Sequence, residues 1–319
     1  MDTKPKLGVV IPLYNEEEML PSLRSAVDAL NSVLPATVSY YLVDDGSRDG
    51  TLAELLSWSA DNERVSVISL SRNFGHQAAI TAGLDHVRDD EEFVVIMDGD
   101  LQDPPELILE MLSKAQEGFD VVYARRRTRG KETLWKRITA QLFYPVMRRL
   151  TKIQIPENVG DFRLISKRAL DAFREMPEHH RFLRGMFAWI GFPQAEVIFD
   201  RQERTAGETK YPTRKMMSLA WNAMTSFSST PLRLGLVPGL LSILMGMGYC
   251  LYSLIRHFSG ETVPGWTALV FLISMFGASI LIAVWITGEY VAKIFEEVKR
   301  RPHYLVKSTS NLEDHDEGR

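Results

Sequence analysis

One cysteine in 319 residues, Cys250, excludes an internal disulfide framework, and its place in an apolar run predicts a packing role. No Cys/His cluster offers a zinc site. The pair His179 and His180 comes nearest, but neighbouring residues on a helix point about 100° apart, so both are read as surface residues. Neither GxxxxGK[ST] nor a GxGxxG after the first apolar run is present, which removes support for ATP and NAD chemistry. Charge of one sign is lacking too. With 37 basic and 41 acidic side chains, net −4, global charge suggests no nucleic-acid partner. Internal repeats and low-complexity tracts are missing, and the opening MDTKPKLGVVIPLY has too short an apolar core for a signal peptide, so it is expected to be a first strand.

What is present begins with apolar runs that stop at acids. Leu7 to Leu13, Tyr40 to Val43, Val65 to Leu70 and Phe93 to Met97 read as strands buried on both faces, separated by helical patterns at about 16–34, 51–60 and after 71–75. That alternation predicts an α/β fold with a doubly wound, mostly parallel sheet. Three of the four runs end in PLYNEE, VDDGS and MDGD, so polar groups gather along the strand ends where open α/β sheets bind ligands.

The sharpest of these stretches is FVVIMDGDLQDPPE, Phe93 to Glu106. In extended chain, residues two apart point the same way, so Asp98 and Asp100 can face one ion while Gly99 lets a diphosphate approach the backbone. Two carboxylates and the Gln102 amide oxygen suit Mg²⁺ or Mn²⁺ carrying a substrate diphosphate. The alternative is an acidic turn, with Gly99 at positive φ and Pro104 and Pro105 opening the next helix. Asp44, Asp45 or Glu16 can accept hydrogen bonds from ribose hydroxyls and a base N–H.

A helix to about Gln116 and a fifth strand, Asp120 to Ala124, follow, ending in Arg125, Arg126, Arg127 and Arg129. Glu132 to Leu150 is a basic amphipathic pattern kinked at Pro145, which fits either a membrane surface or packing on the sheet. Asp161 and Arg163 are expected in a polar loop, Asp161 as a base, a sugar-hydroxyl ligand or a helix cap. Residues 199–211 read as a polar hinge leading into a second amphipathic segment.

Leu234 to Ile255 and Trp266 to Thr287 are apolar runs of about twenty residues, the length that crosses a bilayer, joined by a short link. The alternative is a pair of buried core helices. Arg214, Lys215 and Arg233 before the first run and Lys293, Lys299, Arg300, Arg301 and Lys307 after the second, against Arg256 alone in the link, predict cytoplasmic termini. The polar tail after Lys307 is expected to be disordered.

PLYNEE, VDDGS with Asp49, SRNFG, MDGDLQDPPE, GDFRLISKR, GETKY and GEY with EEVKRRPHYLV together resemble a family 2 glycosyltransferase of GT-A fold. The order of motifs with two trailing spans is similar, more narrowly, to bacterial polyprenyl-phosphate glycosyltransferases, the bactoprenol glucosyltransferase group, related to dolichyl-phosphate mannose synthase. The resemblance covers residues 7 to about 306. It implies inverting transfer of one sugar, with glucose from UDP-glucose as the expectation, to undecaprenyl or another polyprenyl phosphate. Carried over residue by residue, Pro12, Tyr14, Glu16 and Asp45 would hold the nucleotide, Asp98, Asp100 and Gln102 the metal and diphosphate, and Arg204 and Lys210 the acceptor phosphate.

The implied partners are a nucleotide-sugar donor, a polyprenyl-phosphate acceptor and membrane lipid, with a homo-oligomer left open. The implied layout is a cytoplasmic GT-A domain over 1–212, an interfacial segment over 213–233, two transmembrane helices over 234–288 and a cytoplasmic segment over 289–319, in a multi-pass protein of the inner (plasma) membrane. Processive synthases of the superfamily carry QxxRW, where this chain has only RFLRG at 181–185, so single transfer is expected over polymerisation. A catalytically silent membrane scaffold is the remaining alternative.

Overall fold

The structure is a computed structural model that describes residues 4–127, 159–179, 181–200, 230, 232, 235–260 and 265–312. Arg204, Lys210, His180, the amphipathic pattern at 132–150 and the hinge at 201–211 lie outside the described residues. The chain divides into two compact units, Met1–Tyr144 with Ile153–Lys210 and Pro302–Arg319, and Pro145–Lys152 with Tyr211–Arg301.

The first unit is built on an eight-stranded sheet: β1 (Lys6–Leu13), β2 (Thr37–Asp44), β3 (Val65–Leu70), β4 (Phe93–Ile96), β5 (Val121–Arg126), β6 (Val159–Ser166), β7 (Gln194–Phe199) and β8 (Val306–Ser310). The spatial order is β7-β5-β6-β4-β1-β2-β3-β8. β4, β1, β2 and β3 run parallel, as the buried apolar runs predict. β6 is inserted antiparallel between β4 and β5, β7 is parallel to β5, and β8 is antiparallel to β3, so the sheet is mixed.

Helices α1 (Leu20–Val33), α2 (Thr51–Asp61), α3 (His76–His86), α4 (Leu107–Gln116), α5 (Lys167–Arg174) and α6 (Leu183–Trp189) flank it. Side chains alternate across β1. Leu7, Val9, Ile11 and Leu13 join Leu23 and Val27 of α1, Leu55 and Trp58 of α2, and Ile108 and Met111 of α4 in one buried cluster. α3 covers β1 and β2 on the other side, with Ala79, Ile80 and Leu84 buried. Each buried Leu or Ile contributes about 1.5–3 kcal/mol.

Three expectations change. Asp161 and Arg163 lie on β6, not in a loop: Phe162 and Leu164 enter the core cluster, and the two charged residues that alternate with them are buried beside each other. The tail is ordered as far as Leu312, because β8 completes the β3 edge and Asn311, at φ 57, donates from its amide to the carbonyls of Ser59 and Val65. Cys250 does not pack in an interior; it is exposed on an apolar helix.

The second unit contains α7 (Leu236–Phe258) and α8 (Trp266–Lys299), both long and apolar enough to cross a membrane. Most of their large side chains face outward, which excludes two buried core helices as the alternative. They pack on each other through the Ser242 and Ser279 hydroxyls, 2.7 Å apart, and through Gly246 against the Phe276 ring. α8 continues without a break past Thr287 to Lys299, so the expected boundary at 288 falls inside a helix.

Candidate active site

The carboxyl ends of the four parallel strands meet at one edge. There the segments after β1 and β2 are stitched together: Asn15 N–H donates to Ser47 Oγ, Arg48 N–H to Asn15 Oδ1, Glu16 N–H to Thr51 Oγ1 and Gly50 N–H to Glu17 Oε2. Pro12 is buried in β1 beyond its last β4 partner, Val10 opposite Ile96, where a missing N–H leaves no ladder bond unmade. Tyr14 and Glu16 face outward at this edge, and burial first, then Asp100 and Asp49, push the Glu16 carboxyl up.

Asp45 has a structural task. Its carboxylate accepts the N–H groups of Phe74 and Gly75 at 2.7 and 2.9 Å, drawing the segment after β3 across the segment after β2. Gly46, at φ 68, permits the close crossing, since a Cβ there would lie 2.4 Å from the Arg72 carbonyl carbon.

The strand β4 ends at Ile96, and Asp98 to Gln102 form a turn. Asp100 Oδ1 accepts the Gln102 N–H at 3.1 Å across Leu101, which takes the left-handed conformation at φ 50. Gly99 is not the residue at positive φ. A Cβ there would stand 2.5 Å from Leu13 Cδ2, so any larger residue would oblige the buried Leu13 side chain to shift.

Two oxygens in this turn, Asp98 Oδ1 and Gln102 Oε1, are buried without a hydrogen-bond partner. Such orphans are uncommon and unfavourable unless something else binds them. Burial pushes the Asp98 carboxyl up to about 6; His76 opposes this, and Asp161, Asp100 and Asp103 add to it. A divalent cation would reverse that balance. Among the described residues no three His, Cys, Asp or Glu side chains form a protein cage, which suits an ion held by one or two carboxylates with substrate phosphates completing its shell.

The antiparallel register of β4 and β6 pairs Ile96 with Arg163, so β6 carries Asp161 alongside the Asp98 turn. Asp161 is 6% exposed. Arg184 grips it with Nε on Oδ1 at 2.9 Å and a terminal nitrogen on Oδ2 at 3.3 Å, and Gln77 Nε2 donates to Oδ2 at 3.2 Å. His76 Nε2 stands between two carboxylates, 3.4 Å from Asp98 Oδ1 and 3.5 Å from Asp161 Oδ2. Burial alone would raise the Asp161 carboxyl, but His76, Arg184 and Arg163 overcome it and hold it far below the usual range. So strongly stabilised an anion is a poor proton acceptor, which argues against the general-base assignment. Arg163, fully buried over the Phe187 ring, has its guanidinium lowered to about 10 by burial, with Asp161 opposing. Arg126 donates to both oxygens of Asp103 at 3.1 and 3.3 Å.

Of the residues expected at the site, Asp98, Asp100, Gln102 and Asp161 come together, with Glu16 close enough to sense Asp100. His76, Gln77 and Arg184 were missed. A signal existed for the first two: they follow the one parallel strand, β3, whose end carries no acid, and that end opens on the same edge as the others.

The sequence model of glycosyl transferase family 2 matches residues 8–174. An uncharacterized glycosyltransferase of Synechocystis sp. is 40% identical over 309 residues, 97% of this chain and 96% of the relative. The SfII prophage-derived bactoprenol glucosyl transferase of Shigella flexneri is 36% identical over 308 residues, 95% of this chain and 98% of the relative. A putative glycosyltransferase of Bacillus subtilis, CsbB, is 32% identical over 305 residues, 95% of this chain and 92% of the relative.

Proposed function

The chain belongs to glycosyl transferase family 2, and from that premise we propose that it moves one glucose, with inversion, from UDP-glucose to undecaprenyl or a similar polyprenyl phosphate at the cytoplasmic face of the plasma membrane. The observation that carries the donor half is the pair of buried oxygens that accept no hydrogen bond, Asp98 Oδ1, approached by His76 at 3.4 Å, and Gln102 Oε1, at the carboxyl edge of the sheet. The acceptor half rests on the bactoprenol glucosyl transferases that match along nearly their whole length, and on two helices long enough to anchor the enzyme where such a lipid resides.

Asp98, Asp100 and Gln102 would hold Mg²⁺ or Mn²⁺, which when bound neutralises charge on the departing diphosphate. The Gln102 N–H fixes the Asp100 carboxylate in its turn, so that oxygen is aimed before any ligand arrives. Pro12, Tyr14 and Glu16 border the nucleotide side, and Asp45 shapes that side by holding the segment at 74–75.

A phosphate monoester is already anionic near neutral pH, its second pKa being about 6. No proton need be removed for its oxygen to attack. That oxygen forms the new bond to the anomeric carbon from the face opposite the diphosphate, and the old carbon–oxygen bond breaks with its electron pair leaving on UDP. Asp161 then serves as fixed negative charge that keeps His76 and Arg184 in place. Arg204 and Lys210, outside the described residues, are proposed to receive the acceptor phosphate.

The test is donor turnover in detergent, with Mg²⁺ or Mn²⁺, labelled sugar nucleotides, and undecaprenyl phosphate present or withheld. Label passing from UDP-glucose into the organic extract only with the lipid is expected. Label in water-soluble polymer, or none transferred from any donor, would overturn the proposal.

A further inference from the structure

Gln77 joins three elements. From the first turn of α3 its Nε2 donates to Asp161 Oδ2 on β6 at 3.2 Å, and its Oε1 accepts the Leu183 N–H at the start of α6 at 3.1 Å. The second bond fixes the amide: a backbone N–H only donates, so the oxygen must face Leu183 and the NH₂ must face Asp161. Its neighbour His76 reaches both Asp161 and Asp98.

We propose that Gln77 is a positioning residue for sugar transfer, holding the second oxygen of Asp161 so that the carboxylate stays square to Arg184 and keeps His76 beside the Asp98 turn. This rests on the transferase reading above. The geometry supplies the reason. Arg184 takes both oxygens of Asp161, with the longer bond, 3.3 Å, at Oδ2, the oxygen that His76 also approaches at 3.5 Å. Without the Gln77 amide the carboxyl plane is left to Arg184 and to Arg163, 3.7 Å from Oδ1, and Oδ2 loses the neutral donor that balances it between Arg184 and His76. A shift of His76 of about 1 Å at a site arranged around a departing diphosphate is the kind of displacement that lowers turnover about a hundred-fold.

Two substitutions test this in the full-length enzyme. Gln77→Met keeps the volume and removes both hydrogen bonds. It is expected to lower kcat about ten- to a hundred-fold, with KM for UDP-glucose and the thermal midpoint close to the parent's. Gln77→Glu is the sharper variant. Ionised, its carboxylate is repelled by Asp161; protonated, it restores the native pattern, accepting from Leu183 and donating to Asp161. The groups facing it are Asp161 on β6, Arg184 on α6, and His76 on α3, with Arg163 and Asp98 behind them. The ratio of its kcat to the parent's at each pH is therefore expected to rise as pH falls.

A Gln77→Met kcat within about two-fold of the parent would overturn the inference. So would a loss shared equally by kcat, donor affinity and thermal midpoint, or a pH-independent ratio for Gln77→Glu. A parent that transfers no sugar would instead overturn the proposed function, so the two failures are distinct.

Discussion

Asp100 and Asp161 share one site, yet their loss should have unlike consequences. Asp100 is half-buried in a turn and tied to one N–H. Asp100→Asn is expected to lower turnover by about 100-fold or more and leave the thermal midpoint within a degree or two of the parent's. Near-normal activity with Mn²⁺ would remove Asp100 from the metal site. Asp161→Ala removes the carboxylate that offsets the charge of the fully buried Arg163 and anchors Arg184, while the Arg163 bonds to the Gly160 and Asp161 carbonyls remain, so it should destabilise the fold by about 3–5 kcal/mol as well as abolish transfer. The sign of the pH dependence follows. Because the folded carboxyl titrates below the unfolded value of about 4, its stabilisation is complete above that pH and is lost as pH falls beneath it. Melts taken below pH 5 should show a shallower acid decline for Asp161→Asn than for the parent, and parallel slopes would mean the pair contributes nothing.

At the scale of elements, β8 is the feature that carries the clearest consequence. Apart from Val306 its residues are polar, and all but Ser310 are exposed; it is held by the ladder to β3, the paired Ser59 and Ser310 hydroxyls at 3.0 Å, and Asn311. Truncation after Pro302 should bare the β3 edge and lower the solubility of the detergent-purified enzyme, while Asn311→Ala should destabilise by about 1–3 kcal/mol, read as a fall in thermal midpoint. A truncated chain with unchanged melting would make β8 an ornament. Such a strand was invisible in the sequence because only Val306, next to Leu305, is apolar in it; KSTS reads as solvated tail until a partner edge is known. β6 was hidden for a different reason, since Asp161 and Arg163, which alternate with Phe162 and Leu164, read as solvated loop residues until Arg184 and Gln77 are seen to satisfy the buried Asp161 carboxylate. β1 to β4 were legible from runs buried on both faces. The acids of the Asp98 turn were legible with them, being only two residues apart, whereas the meeting of His76, Gln77 and Arg184 around Asp161 depends on strand order and register that no local pattern encodes.

For the molecule as a whole, the two apolar helices and the basic residues flanking them predict an orientation. A reporter fused after Arg319 should behave as cytoplasmic and one inserted at Gly260 as external. The reverse pattern would separate the catalytic unit from cytoplasmic nucleotide sugars and defeat the proposed function. The same ordering of parts along the chain bears on how the protein is made. Ser66 donates to the Asn311 carbonyl across 245 residues of sequence, and both apolar helices lie between them. At about 5–20 residues per second, the ribosome needs roughly 12–50 s to supply Asn311 after Ser66. During that interval the nascent sheet waits with a raw β3 edge while the two apolar helices are synthesised. The last strand to be translated is thus the one that closes the domain, and the enzyme reaches its finished form only after its anchors have been synthesised.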